Sequence, residues 1–287
     1  MSSLQPVIAR KTWRSVEPVH AMIYFAPEAA ERYVALGLDG QMGYFASRSA
    51  PMGPVGVEVV IATFFNFNPD LVGSAIPVAW EKATCGEILE ARLAGADMAL
   101  RRVLGDAAGS PEMARAAELA RIAAEAASER PEGRPLFAGH SKLPWPSEPH
   151  LVLWQAQALL REYRGDGHVA ILTGAGLTGI EALVLHAATG EVPAEALRVT
   201  RSWSHEQWNE GVEAVRSRGW LSAGEELSLS EAGRAHRQQV EDATDHLALH
   251  PYAALGDERC SELRALARPF SRTIVSAGML FGAPRSG

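Results

Sequence analysis

The chain has little cysteine and a deficit of positive charge. Two cysteines, Cys85 and Cys260, occur in 287 residues. They are too few for a disulfide framework or a cysteine-based zinc site. Lysine and arginine number 27 against 34 acids, a formal charge of −7, which argues against general affinity for phosphate backbones, because that affinity rests on basic side chains. A signal peptide is missing too, since residues 1–20 carry Arg10, Lys11, Arg14 and Glu17 without an apolar core. The nearest approach to a long hydrophobic run, Val169 to Ala188, is interrupted by Glu181 and His186 and loosened by glycines. A carboxylate at mid-membrane costs roughly 2.5–3.5 kcal/mol, so this stretch predicts a buried helix pair with a turn. The expectation is a cytoplasmic protein with no membrane partner.

What is present is the composition of a folded protein, 47% apolar and 21% charged, with length enough for two ordinary domains. Most of the sequence reads as helix. Trp13 to Phe25, Pro27 to Leu36 and Glu87 to Leu104 carry apolar residues at helical spacing. Ser110-Pro111-Glu112 is a strong helix start, with a capping serine, a proline in the first turn and an acid near the positive end. The segment from Arg130 to Pro149 holds five prolines and predicts an extended linker pinned by Phe137 and Trp145.

A repeat organises these elements. Gly37-Leu38-Asp39-Gly40 recurs 139 residues on as Gly176-Leu177-Thr178-Gly179, and the same offset pairs Pro54 with Pro193, Val60 with Val199 and Phe64 with Trp203. Upstream, Glu17-Pro18 with His20 recurs as Glu148-Pro149-His150, which would place each histidine at the start of a helix. The second copy is the readable one. Helical segments lead to a recognition helix from Ser204 to Arg218, then Trp220-Leu221, a polar tip, a short strand Leu227-Ser228-Leu229 and a long exit helix from Ser230 to His246. That is the order of a winged helix-turn-helix.

The stretch Val212 to Leu221 and the run Leu227-Ser228-Leu229-Ser230-Glu231-Ala232-Gly233-Arg234 resemble the MarR group of winged-helix proteins. More closely, Glu17-Pro18-Val19-His20, Tyr24-Phe25-Ala26-Pro27-Glu28, Phe64-Phe65-Asn66-Phe67 and Leu160 to His168 resemble an actinobacterial MarR-like family of helix-turn-helix proteins. The resemblance implies a mostly α fold of tandem, pseudo-dimeric winged-helix domains, with a small two-stranded wing in the C-terminal copy. The division expected is a degenerate winged-helix-like helical domain over 1–109, a bridging helix and Pro-rich linker over 110–149, and a MarR-like domain with C-terminal helices over 150–287. The resemblance implies a fold and no chemistry.

A DNA-reading winged helix needs donors at the start of its recognition helix and basic residues on its wing. Here the helix carries Glu206, Glu210 and Glu213, its arginines Arg216 and Arg218 lie at the far end, and the wing tip is Gly224-Glu225-Glu226. DNA is therefore the less favoured partner. The first copy offers Asn66-Phe67-Asn68-Pro69-Asp70 at the equivalent place, with no basic residue before Lys82.

Several constellations bear on chemistry. Gly174-Ala175-Gly176-Leu177-Thr178-Gly179 fits a dinucleotide fingerprint, but the acid expected some twenty residues on is missing and the repeat accounts for Gly176 and Gly179 as turn glycines. His205-Glu206 is followed by Asn209 where a zinc protease needs its second histidine. The densest polar cluster, Arg161 to His168, reads either as an anion-binding wall with His168 as acid or base, or as a helix end in which Asp166 caps the next helix. His20 and His150 could face one cavity near Tyr24 and Trp154 and ligate a metal or haem, or could be packed histidines. Arg48, Phe64 and Asn66 suggest an aromatic cavity with a few fixed polar groups.

Together these predict a small-molecule-binding protein with a pocket between two halves that have lost DNA reading. Catalysis, if present, would fall to His20, His150 and His168. Binding would fall to Tyr24, Arg48, Phe64, Asn66, Trp154, Arg161 and Arg164. The metal and cofactor are unassigned, and the assembly is a monomeric pseudo-dimer or a homodimer. The rival is a ligand-responsive regulator that binds DNA through residues 204–229.

Overall fold

The computed structural model describes residues 4–224 and 226–280. Local signals start most of its helices. Pro6 opens α1 (Pro6–Ala21) and Pro27 opens α2 (Pro27–Ala35), where a missing N–H costs nothing. The chain continues through α3 (Gly40–Ser49), α4 (Val57–Phe64), α5 (Pro69–Ala75) and α6 (Val78–Lys82). A capping box starts α7 (Cys85–Leu104): the Thr84 N–H donates to Glu87 and the Glu87 N–H donates to the Thr84 hydroxyl. Ser110 caps α8 (Pro111–Ala127) by accepting from the Met113 N–H, as its sequence predicts.

The proline-rich segment is not wholly extended. It contains α9 (Pro135–His140), anchored by the fully buried Phe137. From Pro149 a helix of 26 residues, α10 (Pro149–Gly174), runs about 39 Å at 1.5 Å per residue. On the helix-end reading Gly165 to Gly167 would stop it, yet the helix passes straight through them. Asp166 does not cap a new helix, because its carboxylate accepts the Phe137 N–H at 2.9 Å from the first turn of α9. Tertiary packing has overridden the local glycine signal.

The remainder comprises α11 (Gly179–Ala187), α12 (Ala194–Thr200), α13 (His205–Ser217), α14 (Glu231–Leu247), α15 (Leu249–Ala253) and α16 (Gly256–Ser276). Two hydrophobic cores result. The larger joins α1, α7, α8, α10 and α16, and the small buried side chains of α8, such as Ala116, Ala120 and Ala123, let α10 lie close along it. The smaller is built from Leu172 at the end of α10, Leu183 and Val184 of α11, Leu197 of α12, Trp208 and Val215 of α13, and Val240 of α14. The C-terminal helix α16 thus packs back on α1 and belongs to the larger core.

The repeat is visible in the backbone. Gly37 and Gly176 both adopt left-handed φ, +77° and +68°. Each ends a helix, and the N–H of the following leucine returns to the carbonyl five residues back, Leu38 to Tyr33 and Leu177 to Leu172. In both copies a short helix then starts at Gly40 or Gly179, followed by a second and a third. The helix-turn-helix order recurs, but the wing does not: after α5 the first copy turns into α6 and α7. In the second copy the expected two-stranded wing is a single antiparallel bridge between Leu221 and Leu229. The architecture is mostly α without a sheet among the described residues, and it is not two tandem winged helices.

The upstream match fails structurally. Pro18 lies inside α1 with His20 in its last turn, whereas Pro149 is the first residue of α10. No single helix among the described residues is long and apolar enough to cross a membrane, and the pair α10 and α11 is bent by 101° between its members.

Candidate functional site

The two cores meet along two contacts, one sealed and one open. In the sealed contact, the turn between α4 and α5 presses on the turn between α12 and α13. Asn68 N–H donates to the Arg201 carbonyl at 3.0 Å, and the Asn68 side-chain amide donates to the Ser202 carbonyl at 3.0 Å and to Gln207 Oε1 at 3.1 Å. The Trp203 indole N–H returns to the Asn66 carbonyl at 3.0 Å, and the Arg201 guanidinium lies over the Phe67 ring. Phe65 and Ser202, on opposite sides of this contact, both adopt positive φ, 45° and 61°, strain that a dense set of contacts must sustain. A Cβ at Gly179 would meet the Phe65 carbonyl oxygen at 2.0 Å. Glycine there answers a close approach, where the sequence had suggested a turn glycine.

This contact engages Gln207 in the first turn of the recognition helix α13. Gln207 Oε1 accepts from both Asn68 and the Ser204 N–H. The rest of the helix presents Glu206, Glu210 and Glu213 to solvent. Its two basic residues are engaged, Arg216 with Glu213 at 2.9 Å and Arg218 with Glu181 and the Gly176 carbonyl.

The open contact is a cleft of about 920 Å³ between α1 and α10 on one side and α14, the end of α11 and the base of the wing on the other. That volume is within the range of small-molecule sites. Seven arginines line it. Arg10 and Arg14 come from α1, Arg48 from α3, Arg161 and Arg164 from α10, and Arg234 and Arg237 from α14. The helical spacings i, i+4 on α1 and i, i+3 on α10 and α14 bring each pair to one face.

Carboxylates hold some of these cations in place. Glu241 and Asp245 together receive Arg10 and Arg164, at 2.7–2.8 Å for the closest pairs. Arg161 pairs with Glu17 and stands over the Tyr24 ring. Arg48 donates to both oxygens of Glu162, at 2.9 and 2.8 Å, and to the Tyr44 hydroxyl at 2.8 Å, with its guanidinium 4.6 Å from the Phe64 ring centroid. Burial opposes charge on Glu162, but Arg48, with lesser help from His140 and Arg161, wins and brings its pKa down to about 2. Arg14 carries no ion pair or hydrogen bond among the described residues. Among the described residues Arg234 reaches only the Leu229 carbonyl, and Arg237 lies 3.4 Å from His186 Nδ1 and 3.8 Å from Glu241.

His168 also lines the cleft. The Thr244 hydroxyl donates to the Val240 carbonyl at 2.7 Å, so at 2.9 Å it accepts from His168 Nδ1–H. The imidazole is therefore the tautomer whose Nε2 keeps its lone pair, and that nitrogen has no partner among the described residues. Burial first, with Arg164 and Arg237 adding to it against the opposing pull of Glu241, lowers the His168 pKa.

The other expected site residues fall behind or away from the cleft. Tyr24 and Phe64 lie under Arg48, and Trp154 stacks on His20 with ring centroids 5.2 Å apart. His20 is fully buried and both ring nitrogens are engaged, with the Trp154 carbonyl and the Tyr24 hydroxyl. His150 instead pairs with Asp97 at 2.6 Å. Each histidine has its own partners, and the described residues hold no cluster of three or more histidines, cysteines or carboxylates suited to a metal. Asn66 contributes its backbone carbonyl to the sealed contact.

Sequence reasoning missed Arg10, Trp13, Arg14, Glu162, Arg234 and Arg237. The spacing of Arg10 with Arg14, and of Arg234 with Arg237, was the available signal. It also missed Arg92, a buried guanidinium over the Trp154 ring that donates to His140 Nε2 at 3.0 Å.

Comparison with known proteins fits this architecture of repeated short helices and turns. A Helix-turn-helix family matches residues 9–281, nearly the whole chain. The chain belongs to this helix-turn-helix family. No curated protein and no solved structure matches it.

Proposed function

We propose that this helix-turn-helix protein holds a small molecule in the arginine-lined cleft and has given up DNA reading. The observation that carries the proposal is the cleft itself: about 920 Å³, seven arginines and a histidine whose Nε2 has no partner among the described residues, in a chain of net charge −7. Concentrating arginine at one place in an acidic protein is a local feature that stability does not require.

The sealed contact supports the loss of DNA reading. Dimeric helix-turn-helix proteins place two recognition helices in successive major grooves, about 34–36 Å apart. Here the starts of the two equivalent helices, α5 and α13, touch through Asn68 and Gln207. On this reading the protein is a MarR-like, actinobacterial pseudo-dimer in the cytoplasm, monomeric or paired as a homodimer. If the cleft is catalytic, His168 is its acid or base.

The second reading is a regulator that binds DNA through residues 204–229, and its support is membership of a helix-turn-helix family. Native mass spectrometry of the full chain, read against its denatured mass, tests the first reading. A retained small molecule that is lost in Gly165→Trp, which fills the cleft wall, supports it. Unchanged ligand retention in that variant places the ligand elsewhere. Nanomolar, sequence-dependent binding to a DNA duplex would establish the regulator.

A further inference from the structure

The charges of the cleft narrow the class of molecule it can hold. Every lining arginine can be assigned its neighbours. Arg48 and Arg161 are neutralised by Glu162 and Glu17. Arg10, Arg164 and Arg237 share Glu241 and Asp245. Glu191 is the remaining acid on the lining, and among the described residues Arg14 and Arg234 pair with no carboxylate. Seven arginines against these five carboxylates leave two positive charges, with the histidine neutral. The surplus is carried by Arg14 on the α1 wall and by Arg234 and Arg237 on the α14 wall.

What this arginine-rich lining lacks is negative charge. Among the described residues His168 Nε2 has no partner, and it suits a hydroxyl or N–H on the same ligand.

Resting on the cleft reading above, we infer that the ligand is a small dianion, a phosphate monoester or a dicarboxylate. Its acidic groups sit between Arg14 on one wall and Arg234 and Arg237 on the other, and a donor on its body meets His168. Arginine suits both acids because its planar fork matches carboxylate and phosphate oxygens.

The test uses the full chain at pH 8 and constant ionic strength, with inorganic phosphate and malonate as dianion probes, acetate and chloride as monoanion controls, and benzyl alcohol as a neutral probe. Binding is read by thermal shift and by calorimetry. The expected result is saturable stabilisation by phosphate, malonate or both, at least tenfold tighter than by acetate, and lost in Arg14→Ala/Arg234→Ala. Both residues are exposed and form no ion pair among the described residues, so the double variant is expected to fold. Response to only one dianion names the acid. Equal effects of dianions and monoanions, or an effect that survives in the double variant, overturn the inference. If the dianions fail while benzyl alcohol binds and Gly165→Trp abolishes that binding, the cleft stands and its charge assignment falls. If no probe binds, both fall.

Discussion

Asn68 and Gln207 are equivalent positions of the repeat, 139 residues apart, and their side chains are hydrogen-bonded to each other at 3.1 Å. In a two-fold assembly, contacts between equivalent residues lie on the axis. The recurrence of α3 to α5 as α11 to α13 therefore extends beyond local geometry to the way the halves are joined. The same bond joins the start of α5 to the start of α13.

Asn68→Ala removes the amide bonds to Ser202 and Gln207 and the helix cap that Asn68 gives to Asp70 N–H. The expected loss is about 2–3 kcal/mol in urea unfolding. Gln207→Ala alone costs less, and the double variant is less destabilised than the sum of the singles, because the two side chains share a bond. Strict additivity would show that the Asn68–Gln207 contact contributes nothing.

Gly179→Ala provides a sharper test of the close approach. In a free helix the exchange gains about 1 kcal/mol. Here the new methyl group meets the Phe65 carbonyl, so the variant is expected to unfold at least 5 °C below the parent. An unchanged or higher midpoint contradicts the contact.

The two buried arginines should respond in opposite ways. Glu162→Ala leaves Arg48 buried without its carboxylate and is expected to cost about 3–5 kcal/mol. Among the described residues Arg92 has no carboxylate partner; it bonds to His140 and lies over the Trp154 ring. Arg92→Met, apolar and of similar length, is expected to match or exceed the parent in stability. Denaturant midpoints of the two variants decide both cases.

Stability should fall in mild acid. Burial, and after it Arg92, lowers the pKa of His140 to about 4 and that of His20 in the same direction. Both histidines are neutral in folded and unfolded chains above pH 6.5. As the pH drops from 6.5 towards 4, the unfolded chain takes up protons that the folded chain refuses. Asp166 opposes this. Burial raises its pKa to about 7, against the pull of its bonds from the Phe137 and Leu136 N–H groups. Its contribution is present below about pH 4 and is lost as pH rises through 7. Two histidines outweigh one aspartate, so urea midpoints should decline from pH 6.5 to 4.5. Asp166→Asn should make that decline steeper, and a flat profile in the parent would count against the buried neutral histidines.

The sequence disclosed what local chemistry determines. Ser110-Pro111-Glu112 starts its helix as predicted, and Gly37 and Gly176 recur because each ends a helix in the same left-handed turn. It was misleading where distant partners decide. Gly165 to Gly167 looked like a helix end, yet α10 continues because Asp166 is bonded to α9. Glu17-Pro18 and Glu148-Pro149 looked equivalent, although one proline lies inside a helix and the other begins one. For the site, Arg48, Arg161, Arg164 and His168 were legible as polar residues in apolar surroundings. Arg14 and Arg234 were not, because on a helix surface they look like ordinary solvated charges until α1 and α14 are placed across one cleft.

The central claim is that this chain uses its cleft and not its recognition helix. Hydrogen–deuterium exchange of the full chain, with saturating malonate in one arm and a mixed-sequence DNA duplex in the other, tests it most directly. The account predicts slowed exchange at residues 10–14, 161–168 and 234–241 with malonate, and no change at 204–218 with DNA. Protection of 204–218 by DNA, with no protection of the cleft by malonate, would contradict it.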